Sequence, residues 1–155
     1  MNSLSTKDIL DICENKKLSL NGVYLQDDIP SQLKNGFYII NLQSKKTKGN
    51  GTHWCVFYFD KHGLKTLQGS ARESYYFDPM GFIAPEYIHK RIKPYIYCDK
   101  QVQSIDTSSC GFYCIAFIIF LSKSRDKNIG FKTFINMFSN NVNMNENILN
   151  KILNK

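Results

Sequence analysis

The segment 104–121 constrains the fold of this chain most, because it joins a polar run directly to an almost unbroken apolar one. Its sequence is SIDTSSCGFYCIAFIIFL. Residues 112–121 have no polar face at helical spacing, so they predict a helix that is buried on all sides near the centre of the protein. The run is too short to cross a bilayer. The helix is predicted over residues 109–121, with Ser108 or Ser109 as its cap.

A helix of this kind needs other elements to cover it, and the rest of the chain provides them. The chain has 155 residues, of which 43% are hydrophobic, and this predicts one domain over residues 1–155 with a full core. Periodicity and turn residues predict helices at 5–16 and 85–93, one or two helices within 129–154, and strands at 35–43, 52–60, 73–79 and 94–105. A hairpin turn is predicted at 60–63, with a strand after it. This order of elements predicts an α+β domain.

The cysteines argue against two common structural roles. Their number, five, is odd, their spacing is irregular, and no CxxC pair is present. A disulfide framework and a structural zinc site are therefore not expected. The polar N-terminal segment does not resemble a signal peptide. We expect a soluble protein of a reducing compartment, with no metal and no membrane segment.

Cys110 has the most informative position, at the start of the predicted buried helix. There the helix dipole and the free N–H groups favour an anion, and such places lower the pKa of a thiol. Gly111 removes side-chain bulk beside the sulfur, so that a substrate backbone could approach. The alternative is that Cys110 is a small core residue, as free cysteines often are. That core role is expected of the other cysteines, Cys13, Cys55, Cys98 and Cys114.

A cysteine nucleophile needs a base, and the sequence has three histidines. His62 lies in the predicted turn and His89 on a Lys-Arg helix face, so both are expected at the surface. His53 starts an apolar strand, which would hold its imidazole at an open sheet edge. Trp54 should point to the opposite face of the sheet and serve in packing. All three histidines precede Cys110, which excludes the papain order and permits the order His, acid, Cys.

An imidazole that acts as a base also needs an acid to orient it, and the oxyanion needs donors. Asp78 ends a predicted strand directly before a proline and is the best candidate for the acid. Glu73 and Asp60, in predicted loops or turns, are weaker candidates. Gln103 and Gln101 are expected on one strand face, and Gln103 is the nearer to the cysteine and the candidate oxyanion donor.

Three segments, GTHWCVFYFD, YYFDPMG and QSIDTSSCGFYCIAF, occur in the order and spacing of a known family. They resemble the adenovirus-type (adenain-like) maturation cysteine proteases, which include enzymes of virophages and virus-like transposons and, more distantly, the SUMO proteases. The shared pattern is His-Trp on a strand, an acid before Pro-x-Gly, then Gln, six residues and Cys-Gly. The stretch NGVYLQDDIP is similar to the N-terminal region of the family, so the resemblance covers roughly residues 20–121.

The resemblance implies a papain-like cysteine protease fold of the adenain and SUMO-protease type. Its features are a mixed central β-sheet flanked by helices and a nucleophile at the start of a buried central helix. By resemblance His53 is the base, Asp78 its orienting acid, Cys110 the nucleophile and Gln103 an oxyanion donor. The implied activity is that of a cysteine endopeptidase that cleaves viral capsid or scaffold precursors near small residues during virion maturation.

The same resemblance implies a location in the infected cell, in the cytoplasm or virus factory, and packaging in the virion. A monomer is expected, with no required cofactor. The net charge of +7 and the Lys-rich residues 45–48 suggest stimulation by DNA. Adenovirus enzymes also use a viral peptide that joins a cysteine, but Cys98 does not clearly match that position, so no peptide cofactor is expected here.

Two features depart from the family, and two other functions stay open. The segment between His53 and Asp78 is longer than usual, with QGSARES as the extra loop, and the part after residue 121 has no traceable counterpart. One alternative is a protease that removes a ubiquitin-like modifier of the SUMO type, which would use the same four residues. The other is a non-enzymatic basic DNA-binding module, for which no motif is present.

Overall fold

The computed structural model describes residues 1–43, 53–64 and 72–155. The helices are α1 (Thr6–Asn15), α2 (Glu86–Ile92), α3 (Cys110–Lys123), α4 (Lys127–Asn136) and α5 (Asn145–Leu153). The strands are β1 (Gly22–Leu25), β2 (Gly36–Asn41), β3 (Trp54–Phe59), β4 (Ser74–Phe77) and β5 (Tyr95–Tyr97). Two short 3₁₀ helices lie at Lys61–Leu64 and Val142–Met144.

The strands of the described residues form one mixed sheet in the order β1-β2-β3-β4-β5. The central strand β3 is antiparallel to both of its neighbours, and the two outer pairs are parallel. Helices lie on both sides of this sheet, which confirms the α+β class. Because β3 and β4 are antiparallel, the start of β3 and the end of β4 lie at the same end of the sheet.

Helix α3 is the centre of the larger core, as its composition predicts. It shares a buried cluster with inward side chains of the sheet and with α1, α4 and α5. Phe117 shows the packing: its ring stacks on Phe77 at a centroid distance of 5.5 Å and meets Phe134 edge-on at 5.6 Å. A smaller core on the other sheet face packs α2 against the sheet through Ile88 and Ile92. Because α3 packs against the sheet and against three other helices, its middle part carries apolar side chains all round.

Local signals predict the helix ends well. Ser5 caps α1 in a capping box with Asp8, and Asp126 caps α4 through the N–H of Ile129. Pro85 precedes α2, as predicted. The cap of α3 differs from the prediction. Ser109 stands at the N-cap position, but its side chain makes no capping bond within the described residues.

The sheet differs from the sequence predictions in places. Residues 22–25 form a strand that the sequence pattern does not predict. The strand predicted at 94–105 covers only Tyr95–Tyr97, because the backbone N–H groups of Val102 and Gln103 both donate to the carbonyl of Pro79 instead of to a strand. The turn predicted at 60–63 is present, since the N–H of Gly63 donates to the carbonyl of Asp60 at 3.1 Å, and its residues 61–63 lie in the 3₁₀ helix Lys61–Leu64.

Several sequence predictions fall wholly or partly on residues outside the described ranges. These are the Lys-rich loop 44–51 with its residues 45–48, the strand at 64–68 and most of the extra loop QGSARES. No helix in the described part of the chain combines the length and the apolar character that a membrane span requires.

Candidate active site

Three elements meet at one end of the sheet, and each carries a predicted site residue there. His53 directly precedes β3, Asp78 directly follows β4, and Cys110 is the first residue of α3. The register pairs Val56 with Phe77. Continued by one residue, it puts Asp78 opposite Cys55, so that His53 lies diagonally across on the same sheet face.

Asp78 holds the imidazole of His53 directly. Nε2 of His53 lies 2.6 Å from Oδ1 of Asp78. The same oxygen accepts the N–H of Met80 at 2.8 Å, which fixes the carboxylate at the turn after β4. Asp78 is fully buried, and its Oδ2 finds no hydrogen-bond partner in the described part of the chain. The N–H of Met80 thus holds Oδ1 of Asp78 in place, and this fixed oxygen orients the imidazole of His53.

The thiol of Cys110 is the other group that acts on this imidazole. His53 and Cys110 line the same cleft, and each side chain shifts the pKa of the other. Because Asp78 occupies Nε2, the nitrogen left for the sulfur is Nδ1. Burial alone would lower the pKa of His53, but the hydrogen bonds and charges of Asp78 and Cys110 outweigh it and raise the pKa to about 9.

The pKa of Cys110 shifts in the direction opposite to that of His53. Burial works to raise the pKa of its thiol, but the hydrogen bond of His53, the backbone N–H groups of Trp54 and Gly111 and the charge of His53 together lower it. The start of α3 adds its dipole in the same direction. The two shifts favour a thiolate beside an imidazolium, which is the nucleophilic form of a cysteine–histidine pair.

The other four cysteines behave differently, as predicted. All are buried and free. Burial raises the pKa of Cys13 to about 11 and also raises the pKa values of Cys55, Cys98 and Cys114. Cys110 is therefore the activated thiol of this chain.

Gln103 lies in the same cleft as the sulfur and the imidazole, but on a loop and not on a strand. It is 3% exposed. Its Nε2 donates to the carbonyl of Thr107 at 2.8 Å, and its Oε1 is buried with no partner among the described residues. The amide has a second N–H that can turn to an oxyanion. Gln101, predicted on the same face, instead donates its Nε2 to the backbone carbonyl of Gln103 at 2.8 Å.

The cleft over these groups has a volume of about 300 Å³. Its lining residues include Ser3, Met80, Ser104, Ile105 and Ser108. Ile105 is 77% exposed, which leaves an apolar side chain free at the rim. A cleft of this size, open to solvent and lined by both polar and apolar groups, suits a short stretch of an extended peptide.

The N-terminal segment forms one wall of the cleft, a contact that the sequence does not signal. The indole Nε1 of Trp54 donates to the carbonyl of Leu4 at 2.9 Å, and Trp54 is buried, as predicted. A Cβ atom at Gly111 would lie 3.2 Å from Cδ1 of Leu4 and 3.4 Å from Cδ1 of Trp54. The small size of Gly111 thus allows close packing against Leu4 and Trp54. These two side chains occupy the space that the sequence predicts to be open to a substrate backbone.

The rival candidates lie elsewhere. Asp60 and His62 form a pair at 3.5 Å beyond the far end of β3, and Arg72 also contacts Asp60. Glu73, before β4, accepts a hydrogen bond from Asn128. His89 is half-buried against Tyr95, with Nδ1 at 2.8 Å from the phenol oxygen. Asp60 and Glu73 thus lie at the end of β3 and β4 that is opposite to His53 and Asp78, and none of these candidates lines the cleft of Cys110.

Neither a scan of protein-family models nor a search of curated proteins finds a match for this chain. Within residues 1–43, 53–64 and 72–155, no group of three or more His, Cys, Asp or Glu side chains is arranged to hold a metal ion.

Proposed function

We propose that this chain is a cysteine endopeptidase in which Cys110 is the nucleophile, His53 the base and Asp78 its orienting acid. The observation that carries the proposal is the position of the imidazole. It lies 2.6 Å from a fully buried carboxylate, and it shares a cleft with a thiol whose pKa it helps to lower. Buried groups whose pKa values shift in complementary directions inside a cleft are typical of catalytic sites.

Acylation follows from this arrangement. The thiolate of Cys110 attacks the carbonyl carbon of a peptide bond, and the carbonyl oxygen becomes an oxyanion. That oxyanion lies near the N–H of Cys110, which has no acceptor one turn earlier in the helix, and near the amide of Gln103. The imidazolium of His53 then gives its Nδ1 proton to the leaving amine, the C–N bond breaks, and a thioester remains on the sulfur.

Deacylation uses the same groups in reverse. The neutral imidazole of His53 takes a proton from water, and the resulting hydroxide attacks the thioester carbonyl. The C–S bond breaks, the carboxylic acid product leaves, and the thiolate and imidazolium are restored. Asp78 keeps the ring in place through both halves and stabilises its charged form.

The fold type proposed with this activity is papain-like, of the adenain and SUMO-protease type. Two observations support it: a nucleophile at the start of a buried helix, and a base and an acid at the facing ends of two antiparallel strands. The proposed substrates are viral structural precursors cleaved beside small residues. The modest volume of the cleft, about 300 Å³, is compatible with a small residue at the scissile bond.

The experiment that tests the activity is labelling with a peptidyl chloromethyl ketone ending in glycine, followed by mapping of the modified cysteine. We expect modification of Cys110 in the folded protein and a large loss of rate in His53→Ala. Cys114→Ala is the matched control, since it removes a thiol from the same helix, and it should label as the unchanged chain does. Labelling that is spread over several cysteines, or that appears only after unfolding, would refute the proposal that this chain is a cysteine endopeptidase.

A second experiment separates the proposed substrate from the modifier-removing alternative. The protein is incubated with a capsid precursor and, in parallel, with a SUMO fusion, and the products are resolved by mass. Cleavage of the precursor that is lost in Cys110→Ala supports maturation. Efficient processing of the fusion alone would assign the same site to modifier removal.

A further inference from the structure

The first turn of α5 holds both ends of the loop that carries the oxyanion donor. This loop, residues 103–109, runs from Gln103 to the residue before the nucleophile. The first two residues of α5 contact its two ends: Asn145 bonds to Val102, directly before the loop, and Glu146 bonds to Ser109, its last residue. Helix α5 belongs to the part of the chain after residue 121, where no motif points to the site.

Asn145 fixes the end of the loop at Gln103. It is fully buried, and its Nδ2 donates to the carbonyl of Val102 at 2.9 Å and to that of Ser139 at 2.9 Å. Its Oδ1 accepts the N–H of Ser139 at 2.7 Å. With two carbonyls facing Nδ2 and an N–H facing Oδ1, the amide has one permitted orientation. The Val102 carbonyl is thereby fixed one residue before Gln103.

The same peptide is held from two further directions. The phenol of Tyr113, on α3, donates to the Val102 carbonyl at 3.3 Å. On the other side, the N–H groups of Val102 and Gln103 donate to the carbonyl of Pro79 at 2.9 and 3.1 Å. Pro79 follows Asp78, so the residue that orients the imidazole and the residue that binds the oxyanion share one backbone anchor.

Glu146 fixes the other end of the loop. Its Oε1 accepts the hydroxyl of Ser109 at 2.6 Å, and Ser109 is fully buried. The hydroxyl also lies 3.0 Å from Oγ1 of Thr107, and it makes no capping bond to α3. The bond to Glu146 ties the backbone just before Cys110 to α5, and the N–H of Cys110 is the second oxyanion donor of the proposed mechanism.

We propose that Asn145 and Glu146 are positioning residues for the oxyanion site, Asn145 for the Gln103 amide and Glu146 for the N–H of Cys110. This inference rests on the proposed function. Oxyanion donors lower the barrier only when they are fixed close to the productive geometry, and a misplacement of about 1 Å can cost on the order of 10² in rate. The loop lacks regular secondary structure, so α5 supplies the rigidity.

The test compares two reactions of the same sulfur. Iodoacetamide alkylates Cys110 by displacement of iodide, with no oxyanion, and depends on the thiolate alone. With p-nitrophenyl acetate, the thiolate attacks the ester carbonyl through an oxyanion and releases p-nitrophenolate. Cys110→Ala gives the background for both reactions. If the unchanged chain releases no p-nitrophenolate above that background, the proposed function fails and the positioning role fails with it.

Asn145→Asp is the sharpest variant, because it keeps the shape and the acceptor for Ser139 but turns an oxygen toward the Val102 carbonyl. We expect acylation to fall about 10- to 100-fold. Alkylation should change by less than about threefold, since it follows the thiolate fraction. Asn147→Asp, the same chemical change at an exposed position of the same helix, should leave both rates unaltered. Equal loss of both rates, or no loss of acylation, in a chain that acylates at Cys110 would overturn the positioning role of Asn145 while leaving the proposed function intact.

Glu146 provides a second variant that does not disturb a fully buried side chain. Glu146→Ala removes the acceptor that ties the Ser109 hydroxyl to α5, leaves only Thr107 within the loop, and should lower acylation severalfold, again with little change in alkylation. Glu146→Gln keeps an oxygen acceptor at the same place and should restore most of the acylation lost in Glu146→Ala. If Glu146→Gln is as slow as Glu146→Ala, the hydrogen bond to Ser109 is not what positions the N–H of Cys110.

Discussion

Nε2 of His53 lies 2.6 Å from Oδ1 of Asp78, and Asp78 has no exposed surface. A buried carboxylate in this place both orients the ring and keeps it charged. Asp78→Asn should keep the shape but remove the charge, and we expect amide hydrolysis to fall on the order of 10². Glu73→Gln is the matched control, since Glu73 bonds to Asn128 at the other end of β4. A larger loss in Glu73→Gln than in Asp78→Asn would move the acid to Glu73.

The complementary pKa shifts of Cys110 and His53 predict the pH dependence of the site. The pKa of Cys110 is lowered, so its alkylation by iodoacetamide should inflect at a lower pH than the alkylation of an ordinary free thiol. The pKa of His53 is raised to about 9, so amide hydrolysis should decline as the pH rises through that value and the imidazolium loses the proton for the leaving amine.

Two variants separate the causes of these shifts. His53→Ala should move the alkylation inflection of Cys110 to higher pH, because its hydrogen bond and charge are lost. Asp78→Asn should move the alkaline decline of hydrolysis to lower pH, because Asp78 helps to keep the imidazole charged. A native thiol that inflects at the ordinary value, and that does not respond to His53→Ala, would contradict the ion pair.

Gln103 and Gln101 are neighbouring glutamines whose substitution tests which amide binds the oxyanion. Gln103→Ala should cost on the order of 10²–10³ in kcat, as the loss of an oxyanion donor does, with a smaller change in KM. Gln101→Ala should cost less, because its amide donates to the backbone of Gln103 and not into the cleft. The measurement is steady-state kinetics on a precursor-derived peptide, and equal losses would mean that Gln103 acts only by holding the loop.

Local sequence signals predict the parts of this site that depend on a single element. A polar run before an apolar helix predicts Cys110 at the helix start, and an aspartate before a proline predicts Asp78 at a strand end. The support of the oxyanion loop is not local. Asn145 bonds to Val102 from 43 residues away, and in sequence it is one of several asparagines in a polar stretch. Nothing there marks it as buried.

The strand predictions fail for a similar reason. Residues 98–105 alternate polar and apolar side chains in part, as a strand would, and this pattern predicts strand continuation. The backbone N–H groups of Val102 and Gln103 instead donate to the carbonyl of Pro79, a partner that the sequence pattern does not reveal. Residues 22–25 show the opposite case, since pairing with β2 makes a strand of a turn-rich segment.

The helix that carries the nucleophile should lose stability sharply when its central aromatic contact is removed. Phe117 is fully buried, and its ring meets those of Phe77 and Phe134 at centroid distances of 5.5 and 5.6 Å. Phe117→Ala should therefore lower the free energy of unfolding by about 3–5 kcal/mol, through lost transfer energy and the cavity left behind. Phe112→Ala, on the same helix but only partly buried, should cost less. Chemical denaturation of the two variants gives the comparison. Equal losses would mean that α3 is not held by its contact with the sheet and α4, and the rigid placement of Cys110 would then need another source.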